Sequence, residues 1–204
     1  LLTVVALAKS VGEVGWRRLE GVALATSRTD KIIGQLLNTY ILIEGDDGLI
    51  MIDQHAAHER ILYEKFLNKF ENKQGTRLLF PEIIKLTENQ IKIILSQQEL
   101  FKNQGIELDQ ISDTEIAIKT SPPKIQNHSI KELILETISF IEENENLEKD
   151  DFRKKLNEHV HSHMACKMAI KAGDNLTIEQ MQKLIDDLQE TSNRFICVHG
   201  RPTT

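Results

Sequence analysis

Residues 40–59 constrain the fold of this chain more than any other stretch. Tyr40-Ile41-Leu42-Ile43-Glu44 and Leu49-Ile50-Met51-Ile52 are apolar runs separated by Gly45-Asp46-Asp47-Gly48, the composition of two strands joined by a tight turn into a hairpin. Asp53 follows at once, a residue type that ends a strand and accepts hydrogen bonds from the first turn of a helix. Ile61, Leu62, Phe66 and Phe70 then recur at helical spacing, so an amphipathic helix is expected from about Gln54 to Phe70.

The texture changes at Pro81, which follows the short apolar run Leu78-Leu79-Phe80. Beyond it come long Ile- and Leu-bearing helices with charged faces, expected over 87–104 and 129–144, with a strand from Glu115 to Thr120 between them. This reads as a helix-rich α+β insert over residues 82–164. The chain returns with a helix around Met164 to Ala172 and a stop at Gly173-Asp174. A helix from Ile178 to Gln189 capped by Thr177 and a strand from Phe195 to Val198 follow. The fold class is therefore α+β with two lobes, one from residues 31–81 and 165–204 and one inserted. Residues 1–30 read as a strand followed by a linker, and no internal repeat or low-complexity tract is present.

The length of 204 residues suffices for a packed core, and 40% hydrophobic with 27% charged residues is an ordinary globular composition. Lys and Arg number 25 against 31 acids, a net charge of -6, the wrong sign for holding DNA by phosphate neutralisation alone. An acidic chain can still meet nucleic acid if metal ions offset its carboxylates, or if a partner or companion domain delivers it. The apolar opening Leu1 to Ala8 is broken by Lys9, Arg17 and Arg18 and is too short to span a bilayer, so a soluble protein is expected. The chain opens without an initiator methionine, as expected of a fragment or a processed chain. Cys166 and Cys197 accompany other metal-type ligands, and no secretory signal precedes them. A reducing compartment and a thiolate–metal role fit them better than a disulfide.

The chemistry concentrates in Asp53-Gln54-His55-Ala56-Ala57-His58-Glu59-Arg60, followed by Glu64. His55 and Glu59 stand four apart and share one helix face, so two metal ligands project together. Asp53, where strand passes to helix, is placed to reach the same ion. A zinc-protease helix needs two histidines four apart with glutamate directly after the first; His55 and His58 are three apart and Glu59 follows the second, which excludes it. Singly, Asp53 is more simply a cap and His55 an ordinary histidine; the cluster favours metal. Cys197 and His199, two apart on the expected strand, face one side and suit one zinc, with Cys166 completing a soft set, although a lone buried cysteine is usually inert packing. His159, His161 and His163, on a charged helix, are more often solvated than liganded and are assigned no role. Arg201 serves either a phosphate, the Glu59 carboxylate or a structural ion pair.

The succession of Gln35, Tyr40-Ile41, Asp53 to Glu64, Ala165-Cys166-Lys167 and Cys197 to Pro202 resembles the C-terminal domain of MutL mismatch-repair proteins over about residues 31–204. The resemblance implies a homodimer that nicks duplex DNA with metal, acting in the bacterial cytoplasm in association with the nucleoid. It implies Asp53, His55 and Glu59 as the core of the nicking site, with Glu64 as the outer carboxylate. Cys166, Cys197 and His199 would join His55 and Glu59 around a regulatory or structural zinc, with manganese or magnesium as the catalytic ion. The lobe of both chain ends would be the dimerisation lobe and residues 82–164 the regulatory lobe. Implied partners are duplex DNA, held weakly by this region alone, and the mismatch-recognition protein MutS, reached through a full-length protein with an ATP-binding N-terminal region. The family's sliding-clamp motif is imperfect here, since Thr76 stands where glutamine begins it. Family members continue beyond the Gly200-Arg201-Pro202 segment through another strand and helix. The alternative is a non-catalytic, zinc-stapled dimerisation module; a zinc hydrolase of small molecules is a third reading that no motif favours.

Overall fold

A computed structural model of the chain describes residues 6–10, 13–17, 31–45, 48–68, 75–122, 127–144, 148–200 and 202–203, the first two stretches as backbone alone. Asp46 and Asp47 of the expected turn, Phe70, Arg201 and, within the segment 1–30 read as strand and linker, all but 6–10 and 13–17 lie outside the described residues. In chain order the elements are β1 (Ala6–Ser10), β2 (Glu13–Arg17), β3 (Lys31–Leu36), β4 (Tyr40–Gly45), β5 (Gly48–Asp53), α1 (Gln54–Asn68), β6 (Thr76–Lys85), α2 (Glu88–Ser96), α3 (Gln98–Asn103), β7 (Leu108–Ser112), β8 (Glu115–Ser121), α4 (Asn127–Glu143), α5 (Lys149–Met168) and α6 (Ile178–Gln189). The α+β class is as expected. The chain divides into two compact units, Leu1–Lys65 with Ala169–Thr204, and Phe66–Met168.

The first unit holds an antiparallel sheet of order β2-β1-β5-β4-β3. The expected hairpin is β4–β5, closed with Gly45 opposite Gly48. Where one strand was expected near the beginning, β1 and β2 form a second hairpin, and β1 pairs with β5. Ile41, Ile43 and Ile52 from the sheet are buried with Ala57 and Ile61 of α1 and Met181, Leu184, Ile185 and Leu188 of α6. The alternation along β4 sends every second residue into this core, and the spacing of Ala57 and Ile61 puts both on one face of α1. The α6 helix begins as expected at Thr177, whose hydroxyl accepts from the Gln180 amide while the Gln180 side chain accepts from the Thr177 amide, a reciprocal cap.

The second unit holds an antiparallel sheet of order β6-β8-β7. Thr76 and Arg77 pair with Ser121 and Thr120, and after a register shift Glu82 pairs with Ile118. Residues 76–81 thus form the beginning of β6 within the second unit. Pro81 is tolerated because it falls in the irregular stretch of an edge strand. Leu79 and Phe80, in the same stretch, are 88% and 79% exposed. The single helix expected over 87–104 is two, because Gln97 leaves helical geometry (φ -108°, ψ 17°); Phe101 beyond the break is fully buried. Helix α5 is a single element of 20 residues, which joins the charged helix expected around His159 to His163 to the one expected from about Met164. Its buried stripe is Leu156, Val160, His161, Met164 and Ala165, one helix face whose period the polar His161 and the surrounding charged residues obscure.

The histidines of α5 are not solvated as a group. His161 is buried, with the Gln104 amide nitrogen 3.3 Å from its Nε2 and the Phe66 ring beside it. His163 Nδ1 lies 2.6 Å from Glu136 Oε2 on α4. The His159 ring stacks on Phe140 at 4.3 Å and lies 4.2 Å from His163. Burial first, and then the neighbouring His163, lower the His159 pKa to about 4, with Glu136 working the other way. His159 and His163 thus lie along α4, while His161 faces Gln104 and Phe66.

Candidate metal centre

The site is built at the start of α1. Asp53 Oδ1 accepts from the His55 and Ala56 amides at 2.9 and 3.0 Å, which satisfies two donors that an α-helix leaves open. Gln54, next in line, is fully buried. Its amide nitrogen reaches the carbonyls of Asn38, Lys171 and Asp174 at 2.9, 2.9 and 3.1 Å, and its Oε1 accepts from Gln35 Nε2. Gln35 also donates to the Asp174 carbonyl and accepts from the Leu176 amide. Asn38 and Leu37 hold the β3–β4 turn in the left-handed region, at φ 48° and 53°, a conformation that costs non-glycine residues energy. The turn aims the Asn38 carbonyl at both Gln54 and the Gly173 amide. The helix start, the β3–β4 turn and the loop over 170–176 are therefore one braced assembly.

Two histidines of α1 grip a single residue of that loop. His55 Nδ1 is 2.8 Å from the Ile170 carbonyl, and the Ile170 amide donates to His58 Nδ1 at 2.9 Å. A carbonyl only accepts, so the proton on His55 Nδ1 is fixed there. Its other nitrogen, Nε2, lies 3.1 Å from Glu59 Oε1. An imidazole nitrogen and a carboxylate oxygen at that distance need a cation between them, a proton or a metal ion. A ring nitrogen turned to a backbone carbonyl, with the opposite one directed at a carboxylate, is also how protein metal sites orient their histidines.

Glu59 is 1% exposed, and an isolated carboxylate is costly in such a place. Its Oε2 lies 3.4 Å from His199 Nδ1. Glu59, Cys197 and His199 each offer a ligand atom, all within 4.8 Å of one another. Cys197 is buried beside Glu59, while His199 is exposed, so the group has one side on solvent. Carboxylate, thiolate and imidazole form a donor set suited to zinc, whose ligands stand roughly 3–4 Å apart when they share one ion. The residues therefore fit the metal that the sequence implied.

The strand expected over 195–198 is replaced by a turn. Ile196 forms a single bridge with Pro202, the Gly200 amide donates to the Cys197 carbonyl at 3.1 Å, and Gly200 takes φ 75°, open mainly to glycine. Cys197 and His199 converge on Glu59 through this turn and not through strand alternation.

Asp53 and Glu64 stand outside that group. Glu64 accepts from the Ser192 amide and hydroxyl and the Asn193 amide at 2.8, 3.0 and 3.1 Å. Cys166 is half-buried near the end of α5, a residue of the second unit. Sequence reasoning gave no role to Arg60, whose Nε donates to the Ile196 carbonyl at 2.6 Å, nor to Ile170. An arginine directly after Glu59 was the one sequence signal, and its burial is seen only in the structure; a backbone carbonyl leaves no signal.

The family model for the MutL C terminal dimerisation domain matches residues 33–176. The chain belongs to the MutL family. The proteins named DNA mismatch repair protein MutL in Clostridium botulinum (strain Langeland / NCTC 10281 / Type F) and Thermoanaerobacter pseudethanolicus (strain ATCC 33223 / 39E) are similar to it. The first is 38% identical over 175 residues, covering 85% of this chain and 26% of the relative. The second is 35% identical over 172 residues, covering 84% and 27%. This MutL-family chain thus spans about a quarter of the length of the curated relatives it matches. The family match contains Asp53 to Glu64 and ends before Cys197 and His199. Among the described residues, no helix is long and apolar enough to cross a membrane.

Proposed function

We propose that the chain is the C-terminal domain of a mismatch-repair MutL protein, which dimerises and nicks duplex DNA with metal. The observation that carries this reading is Glu59, a buried carboxylate with imidazoles of His55 and His199 at its two oxygens and Cys197 beside it. In this reading Glu59, Cys197 and His199 hold zinc with His55, and the family resemblance adds Cys166. Asp53 and Glu59 serve the manganese or magnesium ion of the nicking step. A divalent ion bound there supplies water activation and charge neutralisation at the phosphate. The protein's own part is orientation. Asp53 fixes the first turn of α1, the Ile170 carbonyl sets the His55 tautomer, and Glu59 presents both oxygens from a helix braced by Gln54.

The acidic charge of -6 makes DNA binding by this region weak, so the rest of the protein and MutS deliver the substrate in this reading, under control of an ATP-binding region. Leu79 and Phe80, exposed on β6, would be the anchors for a sliding clamp.

The test is nicking of supercoiled plasmid in manganese by the parent chain, Asp53→Asn and Glu59→Lys. The parent is expected to give open circles and both variants to lose them; nicking retained in both would count against the assigned site.

A second reading, a zinc-stapled dimerisation module without catalysis, is favoured by one observation. Asp53 Oδ1 caps the helix and Glu64 accepts three hydrogen bonds, which leaves a donor set softer than manganese or magnesium prefers. It predicts zinc binding and dimerisation with no nicking under any condition.

A further inference from the structure

We infer that Arg60 and Glu64 are positioning residues of the metal centre, clasping residues 192–196 to α1 so that Cys197 and His199 meet Glu59. This rests on the reading of Glu59, Cys197 and His199 as metal ligands, and it gives Glu64 a different task from the outer carboxylate that the resemblance implied.

The two side chains stand four apart on α1, with Arg60 Nη1 3.9 Å from Glu64 Oε1, and they are only 11% and 12% exposed. Glu64 Oε2 accepts from the Ser192 amide, and Oε1 from the Ser192 hydroxyl and the Asn193 amide. A carboxylate with three donors from consecutive residues on its two oxygens is well satisfied as it stands. To bind a cation it would have to give up hydrogen bonds that hold the chain. Arg60 Nε donates to the Ile196 carbonyl at 2.6 Å. That carbonyl belongs to the peptide unit that ends in the Cys197 nitrogen, so the guanidinium grips the plane from which the thiol departs. The Tyr63 ring, 5.7 Å from the Arg60 guanidinium carbon, backs it.

The segment needs such a hold. Between the end of α6 and Pro202 the described chain forms no helix or strand, only the Ile196–Pro202 bridge and turns. Glu59 lies directly before Arg60 on the same helix, so ligand and clasp are rigidly spaced by a rise of about 1.5 Å per residue. A helix that carries both one ligand and the grip on the other two sets their separation before any ion arrives.

Cobalt(II) titration tests this, followed by the thiolate-to-cobalt absorption band, on the parent chain, Glu64→Gln and Arg60→Lys. Amide exchange of Ser192 and Asn193 is measured on the same metal-free samples. The Glu64→Gln change retains one acceptor and Arg60→Lys retains the charge, so folding is kept, checked by unchanged exchange at Leu184 and Ile185 in α6. The expected result is about 10- to 100-fold weaker cobalt binding in both variants, with the same band at saturation. Faster exchange at Ser192 and Asn193 in Glu64→Gln is expected with it. A parent without the thiolate band would overturn the metal reading itself. A parent with the band and variants of unchanged affinity, or a Glu64→Gln chain whose saturated spectrum differs, would overturn the clasp alone.

Discussion

His55 and Glu59 face each other across one turn of α1 with imidazole Nε2 3.1 Å from carboxylate Oε1, and the remaining ring nitrogen is committed to the Ile170 carbonyl. The pair is therefore oriented from outside itself. Replacing His55 with alanine strips Glu59 of one neighbour and the Ile170 carbonyl of its donor. A loss of about 1–3 kcal/mol is expected from the partners left behind, together with loss of bound zinc. Denaturant midpoints in chelator and metal content by mass spectrometry measure the two; full zinc occupancy in His55→Ala would remove His55 from the ligand set.

The His159 stack on α5 makes stability depend on pH. In the unfolded chain this imidazole takes its proton near 6.5, in the folded chain only at about 4. Between those values the unfolded state binds more protons, so stability falls as pH drops from about 6.5 towards 4. His163, Glu136, Glu132 and Lys167 line the same α4–α5 interface. His159→Phe keeps the stack on Phe140 and cannot titrate. Its urea midpoint is expected to fall less than the parent's between pH 7 and pH 4.5, and parallel curves would contradict the assignment.

Leu79 and Phe80 project from an irregular stretch of an edge strand. Exposed positions of this kind carry little folding energy, so aspartate at either is expected to change stability by no more than about 0.5 kcal/mol. If they anchor a sliding clamp, the same substitutions abolish its binding in a surface-capture assay. Unchanged binding would move the clamp contact elsewhere.

What was legible in the sequence was what short-range chemistry decides. The β4–β5 hairpin, the Asp53 cap and the Thr177 cap were readable because each is settled within a few residues by alternation or a side-chain acceptor. The pairing of His55 with Glu59 followed from helical spacing alone. That Cys197 and His199 join Glu59 was implied by the family resemblance alone, and the strand expected to set the two on one side is in fact a turn. Its conformation depends on Arg60 and Glu64, more than a hundred residues away in sequence, and no local pattern carries that. The same holds for β6, where Pro81 read as a boundary but sits within a strand paired to β8. In α5 the long charged beginning hid the buried stripe that starts at Leu156.

The central claim is that Glu59, Cys197 and His199 hold one ion. Anomalous diffraction at the zinc edge, from crystals of the chain grown with zinc, tests it most directly. The account predicts a single strong peak about 2.3 Å from Cys197 Sγ and about 2.0–2.2 Å from a Glu59 oxygen and a His199 nitrogen. Zinc bound only at other positions, with this group unaltered, would contradict it.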